Sequence, residues 1–258
     1  MPSSPRRLTL TGLEGFPLIA PGDDLAAVIA RTLDAMVIAP QDGDILVVAQ
    51  KIVSKAEGRY RKLSVVIPSE RAKEIAKIVN KDARHIQLIL EESSEVLRQT
   101  ENAFITVHRL GFIMANAGID QSNVEQTDPA GVVLLLPADP DGSAARLKAA
   151  LDDYYGVEIG VIISDSFGRP WRNGVVGVAL GAAGLPALRN LVGTADLFGR
   201  ELRVTEQAVA DEIASAASLI MGQAAEAIPV VHIRGLQFAG DASPAQALIR
   251  PKQQDVFR

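Results

Sequence analysis

Apolar positions along the chain switch between a period near two and a period near 3.6, and each switch marks an element. Residues 8–13 read as a short strand. Gly22-Asp23-Asp24 then signals a helix start, and Leu25, Val28, Ile29, Leu33 and Met36 follow at helical spacing to give one apolar face. Residues 44–53, of the Ile-Leu-Val-Val type, predict a buried strand closing on the basic segment 51–61. Ser69 caps a charged helix through Val79, and Asp82 begins another through Ile86 and Leu90 that extends towards Leu97. Residues 103–115 predict one or two strands, 132–136 another, and 144–154 a helix. Residues 157–164 form a strand that delivers Asp165 at its end, and a glycine-rich segment covers 168–184. Residues 205–221 carry the clearest helical pattern, and 229–233 the last strand. Strands and helices mix without a βαβ rhythm, so the expected class is α+β. The turn-rich stretch 137–142 is the one candidate subdomain border.

Composition narrows the chemistry. At 258 residues, with 48% hydrophobic and 22% charged, the chain can bury a sizeable core and is not a disordered segment. Only 4% is aromatic, so that core is aliphatic. The absence of cysteine excludes disulfides, thiolate nucleophiles and cysteine-ligated zinc or iron–sulfur centres, and fits a cytoplasmic setting. Arg6 and Arg7 are followed by no apolar block, so residues 1–15 do not read as a secretory signal. The longest uncharged stretch, 174–188, is too short and too broken by glycine and Pro186 to span a bilayer. The expectation is a soluble protein with no membrane partner. A net charge of -5 without a long basic run argues against nucleic acid, while local Lys and Arg can still focus a field on small anions.

Several familiar sites are missing: a Walker-type phosphate loop, a dinucleotide fingerprint and a serine nucleophile elbow. His85, His108 and His232 show no zinc-ligand spacing. Oxygen ligands and cations must then carry any catalysis, and three segments could supply them. The first, Gln50-Lys51-Ile52-Val53-Ser54-Lys55-Ala56-Glu57-Gly58-Arg59, would place Lys51, Lys55 and Arg59 at one sheet end. It fits either a solvated charged turn or a phosphate site. The second, Asn116-Ala117-Gly118-Ile119-Asp120-Gln121-Ser122-Asn123, fits either a tight structural turn or a site where Asp120 binds a hard cation and Asn123 orients a ligand. The third, Ser164-Asp165-Ser166-Phe167-Gly168-Arg169-Pro170-Trp171-Arg172, packs acid, hydroxyl and two arginines too closely for a plain loop. Asp165 and Ser166 suit Mg²⁺ or Mn²⁺, and Arg169 and Arg172 suit carboxylate or phosphate. Trp171 is read as core.

Taken in order, these segments resemble the coenzyme F420 gamma-glutamyl ligase family along nearly the full length. The matching pieces are Gly15-Phe16-Pro17-Leu18-Ile19 with Gly22-Asp23-Asp24-Leu25, Ser54-Lys55-Ala56-Glu57-Gly58-Arg59, and Asn116-Ala117-Gly118-Ile119-Asp120-Gln121-Ser122-Asn123-Val124. Asp165-Ser166-Phe167-Gly168-Arg169-Pro170-Trp171-Arg172 follows, then Val204-Thr205-Glu206 with Ala210-Asp211-Glu212-Ile213-Ala214, and Met221-Gly222-Gln223. The resemblance implies a two-lobed α+β fold, a homodimer, and a ligase joining L-glutamate to F420-0 with GTP through an acyl phosphate. By the same resemblance Phe16, Pro17, Leu18, Ile19, Lys55 and Asn123 hold GTP, and Met221, Gly222 and Gln223 approach it. Gln50 and Lys51 stand where small hydroxyl residues would be expected to touch the nucleotide. Asp120, Asp165, Ser166 and Gln223 are the implied ligands of two Mg²⁺ or Mn²⁺ ions, with a monovalent cation as a further candidate. Lys55 would counter phosphate charge, and Arg169 and Arg172 would grip the acidic acceptor or glutamate. Ala227 occupies a position where glycine would be unsurprising. Some relatives carry a C-terminal reductase domain, which a chain ending at Arg258 is not expected to contain. The rival readings are a same-site ligase with another acceptor or amino acid, and a silent nucleotide-binding module.

Overall fold

The computed structural model describes residues 7–101, 103–238 and 240–256; Arg6 and the rest of the 1–6 segment read above lie outside them. The chain runs β1 (Thr9–Gly12), α1 (Leu25–Ala35), β2 (Ile45–Ala49), α2 (Gln50–Ala56), β3 (Tyr60–Lys62), α3 (Glu70–Val79) and α4 (Ala83–Glu91). It continues through β4 (Ser93–Thr100), β5 (Ala103–His108), β6 (Ile113–Ala115), β7 (Val132–Leu134), α5 (Pro140–Tyr155), β8 (Gly160–Arg169) and β9 (Arg172–Ala183). The last elements are β10 (Arg189–Asn190), β11 (Glu206–Gln207), α6 (Val209–Met221) and β12 (Val230–Arg234). This is an α+β fold. Its contacts separate two compact units, one from 1–56, 139–166 and 176–258 and one from 57–138 and 167–175.

The first unit is built on a five-stranded sheet of order β1-β12-β2-β8-β9. β2 and β8 are parallel, whereas β12 runs antiparallel to both β1 and β2. Leu46 and Val48 face a layer formed by α1, α2 and α5, while Ile45 and Val47 face α6. Burial on both faces is why β2 reads as an unbroken apolar run. Asp24 caps α1 by accepting from the Ala27 amide at 3.0 Å, and Leu25, Val28, Ile29 and Leu33 are buried below it. Each such side chain contributes about 1.5–3 kcal/mol of transfer free energy before the entropy of ordering it.

Several expectations are corrected here. The strand expected over 44–53 ends at Ala49 and gives way at once to α2, so Lys51 and Lys55 sit on a helix. The glycine-rich segment is largely β9: a Cβ at Gly177 would collide with the Ala214 carbonyl, and one at Gly181 with the Pro140 carbonyl. Those glycines let helices approach the strand closely, which a sequence reads as loop-like flexibility. Asp165 lies within β8 rather than at its end. α6 begins at Val209, after β11, instead of at residue 205.

In the second unit α3 and α4 pack on Phe104, Val133 and Leu135 through Ala72, Ile75, Val79, Ile86 and Ile89. Ser69 and Asp82 cap the two helices, accepting from Ala72 at 3.2 Å and Arg84 at 2.8 Å. The helix expected to run towards Leu97 stops at Glu91, because residues from Ser93 pair with β5 in a three-stranded sheet of order β4-β5-β6. Glu92 is buried at that junction beside Arg59 (3.3 Å), Arg109 (3.2 Å) and His108 (3.5 Å). Burial pushes its carboxyl up, but His108, Arg109 and Arg59 together hold it below its ordinary value. Arg59 also donates to the Leu136 carbonyl at 2.8 Å, so it braces this unit.

Candidate functional site

In the first unit, sheet direction decides where the candidate residues emerge. β1, β2 and β8 share one sense, and Gly12 pairs with Val231, Val48 with Val230, and Ala49 with Ser164. The residues that follow Gly12, Ala49 and Ser164 therefore leave the sheet at the same end. Past Gly12 the chain leads to Phe16 and Ile19, past Ala49 to α2, and past Ser164, where the pairing of β8 with β2 ends, to Asp165 and Ser166. Gln223 lies on the segment that enters β12 from the same end. The Ser166 hydroxyl donates to Gln223 Oε1 at 2.8 Å, bringing together residues 57 apart in sequence. Asp165 Oδ1 accepts from the Ser166 amide at 2.8 Å.

The loop after β1 is pinned at every third residue, Leu13, Phe16 and Ile19. Phe16 packs on the core and Ile19 is buried, while Pro17 is exposed and Leu18 is 95% exposed. The Gly22 amide donates to the Ala56 carbonyl at 2.8 Å, which ties this loop to the end of α2 beside Lys55. Partial burial, and then Lys51 one turn earlier, push the Lys55 ammonium below its ordinary value. No carboxylate pairs with Lys55 among the described residues. A bound anion would relieve both effects. Gln50 is buried and accepts from the Ser54 hydroxyl at 2.9 Å, so its side-chain oxygen serves the helix interior.

The segment from Met221 to Ala227 reverses the chain after α6. Gly222 adopts φ +71°, and a Cβ there would collide with the Glu226 carboxylate. Glu226 in turn accepts from the Ala224 amide at 2.8 Å, and this contact holds its carboxyl low. Ala227 has φ +56°, the left-handed backbone that makes glycine unsurprising at that position.

In the second unit, Asp120 and Asn123 follow a constrained turn. Asn116, Ala117 and Gly118 have φ of +54°, +51° and +68° in succession. Left-handed backbone costs roughly 1–2 kcal/mol at a non-glycine residue, less at asparagine, so packing must maintain it. The Ala117 methyl is fully buried, and a Cβ on Gly118 would stand 2.9 Å from Met114 and 3.0 Å from Leu136. Lys81 Nζ donates to Asn116 Oδ1 at 2.6 Å. Beyond the turn, the Asp120 amide and carbonyl both bond Leu134 at 2.9 Å. The sequence held no signal for Lys81, which follows α3 after the left-handed Asn80.

Arg169 ends β8, and Arg172 begins β9 in the same unit. Arg169 Nη1 is buried without a hydrogen-bond partner among the described residues, while Arg172 is exposed. Trp171, expected in the core, is 87% exposed with φ +66°, because it sits at the turn between these strands. Among the described residues no three His, Asp or Glu side chains cluster for a metal, so any cation here would rely on mixed oxygen donors. Nor is any described helix long and apolar enough to cross a membrane.

Comparison with known proteins gives one consistent family. The family model for F420-0:Gamma-glutamyl ligase matches residues 15–235. The Coenzyme F420:L-glutamate ligase of Methanothermobacter thermautotrophicus is 46% identical over 256 residues, covering 97% of this chain and 99% of its own. The Archaeoglobus fulgidus protein of the same name is 46% identical over 253 residues, covering 98% and 97%. That of Methanocaldococcus jannaschii is 42% identical over 255 residues, covering 98% of each.

Proposed function

The chain belongs to the F420-0:gamma-glutamyl ligase family, and from that premise we propose that it joins L-glutamate to coenzyme F420-0 with GTP as co-substrate. A carboxylate does not react with an amine at neutral pH, because its oxygen is too poor a leaving group. In the proposed sequence an acceptor carboxylate oxygen attacks the γ-phosphorus of GTP, the bond to the bridging oxygen breaks, and GDP leaves. The resulting acyl phosphate is attacked at carbon by the glutamate amine. The carbon–oxygen bond to phosphate then breaks, inorganic phosphate departs, and the nitrogen releases a proton. Such a reaction needs positioning and charge neutralisation more than a covalent enzyme nucleophile.

The observation that carries this reading is that the chain past Gly12, Ala49 and Ser164, with Lys55, Asp165, Ser166 and Gln223, emerges at one end of the first unit's sheet. Oxygens 2.8 Å apart match the spacing of neighbouring ligands around an octahedral ion, about 2.9 Å for bonds of about 2.0–2.1 Å. Ser166 and Gln223 thus suit neighbouring positions on one Mg²⁺ or Mn²⁺, with the adjacent Asp165 as its carboxylate ligand, and Asp120 would supply an oxygen to a cation in the second unit. Bound there, such ions supply positive charge against phosphoryl oxygens. Lys55 neutralises phosphate, and the loop carrying Phe16, Pro17, Leu18 and Ile19 borders the nucleotide. Asn123 orients the bound ligand. Arg169 and Arg172 hold a carboxylate of the acceptor or of glutamate, a role favoured by the buried Arg169 Nη1, which has no hydrogen-bond partner among the described residues.

Incubating purified protein with GTP, Mn²⁺, L-glutamate and F420-0, with product masses read by mass spectrometry, tests the proposal. Gain of glutamyl units with matching GDP is expected. GDP without glutamylated product would move the acceptor elsewhere, and no GDP from folded protein would sink the nucleotide role.

A further inference from the structure

We infer that Lys81 is a positioning residue for Asp120: its ammonium holds Asn116 and so sets the turn that aims the Asp120 carboxylate. The inference rests on the proposed role of Asp120 as a cation ligand. Asn116 opens a run of three left-handed residues that ends two positions before Asp120. At the far side the run is fixed by paired backbone bonds between Asp120 and Leu134, both 2.9 Å. Its middle is fixed by the buried Ala117 and by Gly118, hemmed between Met114 and Leu136. At the near side, the Asn116 carbonyl accepts from Ile119 at 3.0 Å and its side chain accepts from Lys81 at 2.6 Å. Lys81 is itself anchored, since its amide donates to the Ala76 carbonyl at 3.1 Å where α3 ends. A lysine so held is a fixed strut between the end of α3 and the turn that precedes Asp120. Partners that orient a ligating residue typically change metal affinity by about 10–100-fold when removed.

The test titrates the full chain with Mn²⁺ alone, reads free Mn²⁺ by electron paramagnetic resonance, and follows thermal unfolding in parallel. The binding step lost in Asp120→Asn defines the site to be followed. Lys81→Met should weaken that step by about tenfold or more with the unfolding midpoint held. Lys81→Arg, which keeps a donor, should recover most of the loss. Asn116→Gly, which tolerates the left-handed backbone but lacks the acceptor, should weaken the same step. The double variant with Lys81→Met should be no worse than the weaker single one. Wild-type Mn²⁺ affinity in Lys81→Met, no recovery in Lys81→Arg, or multiplicative losses in the double variant would each overturn the positioning role. Unchanged binding in Asp120→Asn, or no binding by the wild-type chain, would instead overturn the cation reading on which it rests.

Discussion

The two units present their candidate residues by different means. In the first, β1, β2 and β8 run in the same sense, and the direction of regular strands carries Phe16, Lys55, Asp165 and Ser166 to one end of the sheet. In the second, Asn116, Ala117, Asn123 and Trp171 all adopt left-handed backbone in or beside the candidate segments. Placement by strand direction follows from pairing that the core stabilises anyway. Placement by a constrained turn persists only while surrounding packing and hydrogen bonds outweigh its conformational cost. Substitutions should therefore act locally on chemistry in the first unit, and on geometry as well as chemistry in the second.

The largest expected effects are on turnover. Asp165→Asn and Asp120→Asn should each lower the rate of glutamylation by about 10³-fold, the scale of losing a key electrostatic contact, with unfolding midpoints nearly unchanged. Near-normal turnover in either variant would remove that residue from the chemistry.

Next come two glycines that separate stability from geometry. Gly177→Ala drives a methyl into the Ala214 backbone and should cost about 1–3 kcal/mol in chemical denaturation. Gly118→Ala combines φ +68° with contacts to Met114 and Leu136, and should cost about 1–2 kcal/mol. It should also weaken Mn²⁺ binding at the Asp120 site. If Gly177→Ala weakened that site equally, the contrast between the units would fail.

Acid should unsettle the second unit first. Burial, and then Lys81, lower the pKa of His85 from its usual 6.5, so the native state disfavours the protonated ring. The unfolded chain takes up that proton at higher pH, and the stability present above about 6.5 is lost as pH falls towards the lowered native value. The loss from one such group is at most about 1.4 kcal/mol per pH unit. Asp44 behaves differently in the first unit. Burial raises its carboxyl, but Arg234 and His232 hold it below 3.8 overall, so its contribution persists until pH falls below that value. Hydrogen exchange at pH 7, 5.5 and 4.5 should show amide protection falling earlier in α3 and α4 than in β2 and β12. Simultaneous loss in both units would contradict this.

The smallest expected effect is that of Trp171→Ala. A side chain 87% exposed should change stability by no more than about 0.5 kcal/mol, and a larger change by calorimetry would mean the ring is covered in solution.

Legibility in the sequence followed the physical origin of each feature. The starts of α1, α3 and α4 were readable because Asp24, Ser69 and Asp82 cap them with side chains suited to nothing else there. β2 was readable from its unbroken apolar run, but its end was not. α2 begins at Gln50 directly after Ala49, and Ile52 and Val53 continue the run while turning helical. β9 was obscured because Gly177 and Gly181 answer to helices packed against them from distant parts of the chain. The acid, hydroxyl and cation types of the candidate site were visible in order along the chain. Their delivery to one sheet end depends on strand pairing, and the strut from Lys81 to Asn116 depends on a contact 35 residues long, so neither has a local signature.

The most direct test of the proposed chemistry follows one oxygen atom. With F420-0 labelled with ¹⁸O in its acceptor carboxylate, each ligation through an acyl phosphate should transfer one label to inorganic phosphate, in step with product and GDP. Glutamylated product accompanied by unlabelled phosphate would contradict phosphoryl transfer to the acceptor.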